Sequence, residues 1–187
     1  MNKPIVINLY GGPGSGKSTT RAGIFSLLKL HGINAEEAPE YAKELTWEQR
    51  TETLQDQYYV WGKQYHRLFR LKKDVDVIIT DSPILLSLIY ASDANPCFHE
   101  MVIQSYLEYF NVNFFLRRVK KFNPKGRNQT EPEARGLDTL IKEMLDKYMI
   151  RYDEVEADFM AVNKIAGNII ESVFGIEQKI FFSQKSD

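Results

Sequence analysis

The chain is nearly devoid of cysteine. Cys97 stands alone, so no internal disulfide forms, and a small fold held by disulfide bridges is excluded. Without a histidine that obviously pairs with it, Cys97 reads as a buried or inert thiol rather than a nucleophile. Long apolar runs are lacking as well. No stretch approaches the length of a membrane span, and Met1-Asn2-Lys3-Pro4 leads straight into a strand with no apolar leader. The expectation is a cytoplasmic protein with no membrane partner. Charge of one sign is also missing: the formal net charge is −1, so any affinity for polyanions must come from local clustering. Repeats and low-complexity tracts are absent. What remains, at 187 residues, is one α/β domain, residues 1–187, large enough to bury about 70% of its unfolded surface.

Glycine is concentrated near the amino end. Gly11-Gly12-Pro13-Gly14-Ser15-Gly16-Lys17-Ser18-Thr19 fits the pattern G-x-x-x-x-G-K-[ST] at Gly11, Gly16, Lys17 and Ser18. Glycines let successive backbone N–H groups converge on a phosphate because no Cβ obstructs the turn. The cradle spans Gly12, Pro13, Gly14, Ser15, Gly16, Lys17, Ser18 and Thr19. Lys17 reaches the β- and γ-phosphates as a point charge, and the Ser18 hydroxyl is a ligand for Mg²⁺. The context agrees. Ile5–Tyr10 reads as a short buried strand, and Ile24, Leu27, Leu28 and Leu30 mark one face of a following helix whose positive end meets the same anion. No Asn/Thr-Lys-x-Asp run that would read guanine is present, so ATP is the expected nucleotide.

Gly32 caps that helix. A weakly apolar second strand, residues 33–38, ends at Pro39, and a short helix follows from Glu40. Glu36, Glu37 and Glu40 cluster where that strand would end, beside the phosphate loop of a doubly wound sheet. Glu40 is the favoured candidate there to accept the proton of an attacking hydroxyl; a solvated acidic turn is the competing reading. A long helix is expected over Thr51 to Leu71, with Leu54, Tyr58, Trp61, Tyr65 and Leu68 on one apolar face. Gln57, Trp61 and Gln64 share a stripe of it. Two amides flanking an indole suit a planar base, although Trp61 in the core with glutamines at its margin is the simpler reading. His66 lies off this stripe and is expected to be exposed.

Val77-Ile78-Ile79 reads as a central parallel strand ending in Asp81, the position of a Mg²⁺-handling acid that could equally orient or deprotonate the acceptor. Ser82-Pro83 follows with no glutamate, which shifts the reading from motor ATPase to kinase. Pro83 suits the first position of an apolar core helix, residues 84–90. Asp93–Pro96 reads as a loop, Met101 to Phe110 as a helix and Val112–Leu116 as the fourth strand. Then comes Arg117-Arg118-Val119-Lys120-Lys121-Phe122-Asn123-Pro124-Lys125-Gly126-Arg127, with six basic residues of eleven and no acid. Such a segment, with Gly and Pro, reads as a lid over about 117–132 whose arginines close on phosphates. Arg117, Arg118 and Arg127 are the candidates, with Arg135 behind them; a solvated cationic loop or a nucleic-acid contact are the other readings. A helix from Glu131 to about Tyr148 follows, with Leu137, Leu140, Ile141, Met144 and Leu145 as its apolar side. Asp158–Val162 reads as a fifth strand, and Ile165, Ile169, Ile170 and Val173 as the face of a closing helix. The tail, 178–187, is expected to be disordered.

With these stretches located, the chain resembles small kinases of the phosphate-loop (P-loop) superfamily, in the nucleoside and nucleotide kinase group. The nearest likeness is to the nicotinamide riboside kinase type, carried by Glu40-Tyr41-Ala42-Lys43-Glu44 after the loop, by a helix bearing Gln57 and Gln64, and by a strand ending Asp81-Ser82. The resemblance implies a three-layer P-loop NTPase fold, with a five-stranded parallel sheet flanked by helices and a basic lid. It also implies an ATP- and Mg²⁺-dependent phosphotransferase acting on a nucleoside- or nucleotide-type acceptor. Lys43 stands where arginine is common, and the basic run has no counterpart in that type. The chain also resembles compact virus-encoded kinases; related bacteriophage enzymes phosphorylate hydroxymethylated thymine-like bases in DNA, which a basic lid would suit. A regulatory P-loop ATPase with no small-molecule acceptor is the third reading.

Overall fold

The first strand, β1 (Ile5–Tyr10), is buried along its whole length, as a strand covered on both faces must be. The computed structural model describes residues 3–123 and 129–175, with the backbone alone for 172–174. Lys125, Gly126 and Arg127 of the expected lid, and the 178–187 tail, lie outside the described residues. From β1 the chain runs through α1 (Lys17–Leu30), β2 (Ala35–Ala38), α2 (Tyr41–Trp47), α3 (Thr51–Gln55), α4 (Gln57–Phe69) and β3 (Val77–Thr80). A 3₁₀ turn (Ile84–Leu86), α5 (Ser87–Tyr90), α6 (Pro96–Leu107), β4 (Phe110–Arg117), α7 (Glu131–Lys147), β5 (Asp153–Glu156) and α8 (Ala161–Phe174) follow.

The five strands form one sheet in the order β2-β3-β1-β4-β5, and every neighbouring pair is parallel. Strand alternation divides the core. Ile5, Ile7 and Leu9 join Ile24 and Leu28 of α1 and Ile165 and Ile169 of α8 on one side. Val6 and Tyr10 join Trp61 and Leu68 of α4, Val102 of α6 and Ile141 of α7 on the other. The expected three-layer α/β P-loop fold is therefore present. Gly23 lets α1 approach α8 closely, since a Cβ there would lie 2.5 Å from Val162 Cγ2. Asn8 sits buried inside β1, and its amide is satisfied by Asn111 and Asn113 at 2.9 and 3.1 Å, which is what a polar side chain at that depth requires.

Several expectations need correction. The fifth strand is Asp153–Glu156, not 158–162. Asp158 instead accepts hydrogen bonds from Met160 N at 2.8 Å and Ala161 N at 3.1 Å and so starts α8. The single helix expected over 51–71 is broken at Asp56, whose side chain accepts from Tyr59 N and caps α4. Pro83 is extended, at φ −54° and ψ 136°, and precedes a 3₁₀ turn rather than opening a helix. Asn95 and Pro96 begin α6 instead of forming a loop. Cys97, expected to be buried or inert, is exposed. Leu30 and Leu140, assigned to apolar helix faces, are exposed too. His66 is exposed, as its position predicts.

Candidate active site

The loop between β1 and α1 has the backbone that its glycines permit. Gly11, Gly14 and Gly16 have φ of 135°, 78° and 99°, in the region that L side chains avoid. A Cβ on Gly11 would fall 2.7 Å from Ser15 Oγ. Gly16 is the N-cap of α1, and Lys17 is its first residue. The Lys17 ammonium donates to Gly11 O at 2.6 Å and Gly12 O at 3.0 Å. Burial lowers its pKa, against the opposing pull of Glu40, Asp81 and Asp138 and with the help of Arg118. Ser15 Oγ is buried with no hydrogen-bond partner.

Because β3 lies beside β1, its end delivers Asp81 to the loop. Asp81 is 1% exposed. Its Oδ1 accepts from Arg21 Nη1 at 2.7 Å and from Glu40 N at 3.1 Å, while Oδ2 is buried and unpartnered. Arg21 Nε also donates to Glu37 at 2.7 Å. The acidic cluster at the end of β2 is thus divided. Glu36 lies 3.9 Å from Lys29, Glu37 holds Arg21, and Glu40 turns to the site as the N-cap residue of α2. Burial pushes the Glu40 carboxyl above the ordinary range, Lys17 opposes that, and the charge of Asp81 adds to it. Lys43 Nζ donates to Ser18 Oγ at 3.3 Å.

A cavity of about 350 Å³ opens from the phosphate loop past Glu40 and Asp81 to Gln57, Trp61 and Tyr90. Gln57 Nε2 donates to Leu54 O at 2.6 Å. Trp61 stacks on Tyr65, with ring centroids 5.4 Å apart, and its Nε1 is buried without a partner. Gln64 lines the cavity but its amide is occupied: Oε1 accepts from Tyr41 N at 3.0 Å, and Nε2 lies 3.4 Å from both Ala38 O and Thr80 Oγ1. The Tyr90 hydroxyl is pushed up to about 12 by burial and by the charge of Glu40.

The arginines expected of the lid are dispersed. Arg118 reaches the loop, donating to Pro13 O and to Asp138 at 3.0 Å each. Arg117 is the last residue of β4, 3.0 Å from Glu156 and 3.9 Å from Glu154 of β5. Arg135 pairs with Glu131 on α7 at 2.8 Å. Three residues went unrecognised in the sequence: Tyr90, read as part of a core helix, lines the cavity, and Arg21 and Asp138 were not singled out. Arg21 stands one helical turn beyond Lys17, a spacing that puts both on one face and could have flagged it. Asp138 carries no comparable signal.

The profile of one protein family matches residues 6–161, from β1 to the start of α8. The chain belongs to the AAA domain family. No curated protein matches this AAA domain in sequence. Among solved structures, the AAA domain is similar to deoxyadenosine kinase from M. mycoides with bound dATP, at a TM-score of 0.56 and 18% identity, covering 88% of this chain and 98% of that one. The likeness is one of fold. Among the described residues, no helix of the AAA domain is long and apolar enough to cross a membrane.

Whether the AAA domain's residues suit a metal-bound nucleotide can be judged from the side chains themselves. Asp81 Oδ2 is an orphaned buried acceptor, the Ser18 hydroxyl stands at the start of α1, and both are oxygens of the kind a hard divalent cation takes. Among the described residues, no three His, Cys, Asp or Glu gather into a metal centre.

Proposed function

We propose that this AAA domain is a P-loop kinase that transfers the γ-phosphoryl group of ATP to a hydroxyl of an uncharged, nucleoside-type acceptor. The observation that carries this reading is the single cavity joining Lys17 and Asp81 to a chamber walled by Glu40, Gln57, Trp61 and Tyr90. A regulatory ATPase needs only water at that place; a chamber behind the phosphate loop offers room for a second substrate.

In this reading, residues 12–19 cradle the phosphates, and Lys17 leaves the Gly11 and Gly12 carbonyls to meet the transferring group. Ser18 and Asp81 hold Mg²⁺, which when bound neutralises charge on the β- and γ-phosphates. Glu40 is the proton acceptor in preference to Asp81. Asp81 has one oxygen committed to Arg21 and Glu40 N, whereas the Glu40 carboxyl lines the cavity with its proton affinity raised. Placement and charge stabilisation do most of the work in a loose phosphoryl-transfer transition state.

A hydroxyl acceptor is favoured over a phosphate because two carboxylates, Glu40 and Asp81, line the chamber, and the ammonium groups of Lys17 and Lys43, which line it too, are engaged by the Gly11 and Gly12 carbonyls and by Ser18. Modified DNA is the weaker reading, since Arg117, Arg118 and Arg135 all have carboxylate partners. The test is labelled ATP offered with nucleosides, nucleoside monophosphates, nicotinamide riboside, plain DNA and base-modified DNA. Label should enter a nucleoside-type compound at least tenfold faster than its monophosphate. Phosphate release with no acceptor labelled, or label in DNA alone, would overturn the proposal.

The unpartnered indole N–H of Trp61 gives a second expected outcome. Trp61→Phe keeps a ring to stack on Tyr65 and removes one donor, worth about three- to tenfold in acceptor binding. Steady-state kinetics should show the KM for acceptor rising by that factor, with the KM for ATP unchanged.

A further inference from the structure

Helix α7 begins with a capping box: Thr130 N and Oγ1 both donate to Glu133 Oε2, at 2.7 and 2.8 Å. This box fixes the start of the helix, and two turns further on Asp138 reaches the phosphate loop. Its Oδ1 accepts from Gly12 N at 2.6 Å. Its Oδ2 accepts from Arg118 Nη1 at 3.0 Å, and Arg118 Nη2 donates to Pro13 O at 3.0 Å. One carboxylate and one guanidinium thus tie the Gly12-Pro13 segment to the end of β4 and to α7. The contact is tight: a Cβ on Gly12 would collide with Ala134 O and come within 2.9 Å of Asp138 Oδ1. The Arg118 side chain is 4% exposed, and its Nε is buried with no partner.

A carboxylate beside a phosphate cradle is an electrostatic liability, because it repels the ligand. Arg118 cancels that charge, and Lys17 senses both members of the pair. What the pair adds is position. Charge-assisted hydrogen bonds are short and directional, and these hold the first peptides of the loop and the guanidinium in one fixed relation.

We propose that Asp138 is a positioning residue for nucleotide binding: it orients the Gly12-Pro13 backbone and holds Arg118 against the rim of the phosphate loop. This inference rests on the reading of the site as a nucleotide site. Asp138 touches no reacting atom in it and acts through Gly12 and Arg118.

The test is equilibrium binding of a fluorescent ATP analogue with MgCl₂ to wild type, Arg118→Ala, Asp138→Ala, the double variant and Asp138→Asn, with thermal melts of each. Each alanine variant should weaken binding about tenfold, the scale of a lost charge-assisted hydrogen bond. The double variant should bind no more weakly than Arg118→Ala, because residues acting as one unit are not additive. Asp138→Asn keeps an acceptor for Gly12 N but loses the charge, so it should fall between wild type and Asp138→Ala. Wild-type affinity in Asp138→Ala, or a double variant showing the product of the single losses, would overturn the inference. If Asp138→Ala does not fold, wild-type affinity in Asp138→Asn overturns it. Failure of the wild type to bind the analogue at all overturns the functional reading instead.

Discussion

Lys17→Ala should lower phosphoryl transfer by about 10³-fold while leaving the thermal midpoint unchanged or slightly raised. The rate loss follows from geometry. Lys17 is the cation at the start of α1 beneath the loop, and removing a preorganised donor from a developing negative charge costs about 10²–10³ in rate. The stability half follows from the sign of its pKa shift. Burial lowers the pKa of Lys17 in the folded protein, so the charged ammonium is disfavoured by folding at neutral pH, and its removal sacrifices no stabilising ionisation. Single-turnover transfer assays and thermal melts of the purified variant check both halves. Retained transfer would contradict the assigned role, and a large fall in melting temperature would mean that Lys17 serves the fold.

Glu40→Gln should cost about 10²–10⁴ in kcat, the range for removal of a general base, and should also change the shape of the pH profile. In the folded protein burial raises the Glu40 pKa, so the acid limb of kcat/KM in the wild type should lie above the ordinary carboxylate range. Activity is lost as pH falls through that raised pKa, because the proton acceptor fills. The stability effect has the opposite sense. A carboxyl with a raised folded pKa favours the fold at low pH and loses that contribution as pH rises through the folded value. The glutamine variant should therefore be at least as stable as wild type at neutral pH. It should lack the acid limb assigned to Glu40. A full acid limb persisting in Glu40→Gln would transfer the base role to another group, with Asp81 first in line.

The parts legible in the sequence were those written in local pattern. The strand–loop–helix around Gly11–Thr19 carries its own grammar, and β1, β3 and the start of α7 follow from runs of apolar residues and from Glu131-Pro132-Glu133; the Asn95-Pro96 pair, which suits a loop as well as a cap, was read as a loop and starts α6. The missed fifth strand, Asp153-Glu154-Val155-Glu156, offers one buried side chain, Val155. It lies at the sheet edge beside β4, so its pairing is decided by its neighbour and not by its own hydrophobicity. The segment put forward in its place, 158–162, has Phe159 and Met160 in the open and is governed by the Asp158 cap.

At the site, Lys17, Glu40 and Asp81 converge on one cavity, as their positions after strands of a parallel sheet imply. Gln64 belongs to the stripe facing the cavity, and its amide closes the junction of β2, α2 and β3, a set of partners that the helical stripe alone does not reveal. The partners of Arg118 are long-range. Asp138 meets Gly12 across 126 positions, and no local periodicity encodes such a pair. Composition counts the charges of the 117–127 run and not the acids that meet two of its arginines, Glu156 at Arg117 and Asp138 at Arg118.

The most direct measurement is an amide ¹H–¹⁵N spectrum of the wild type titrated with MgCl₂ and a non-hydrolysable ATP analogue. Saturable shifts are expected to be largest at Gly14, Gly16, Lys17, Ser18 and Thr19, with smaller ones at Glu40 and Asp81. Saturable shifts centred elsewhere, or none at all at millimolar nucleotide, would mean that this loop is not a nucleotide site.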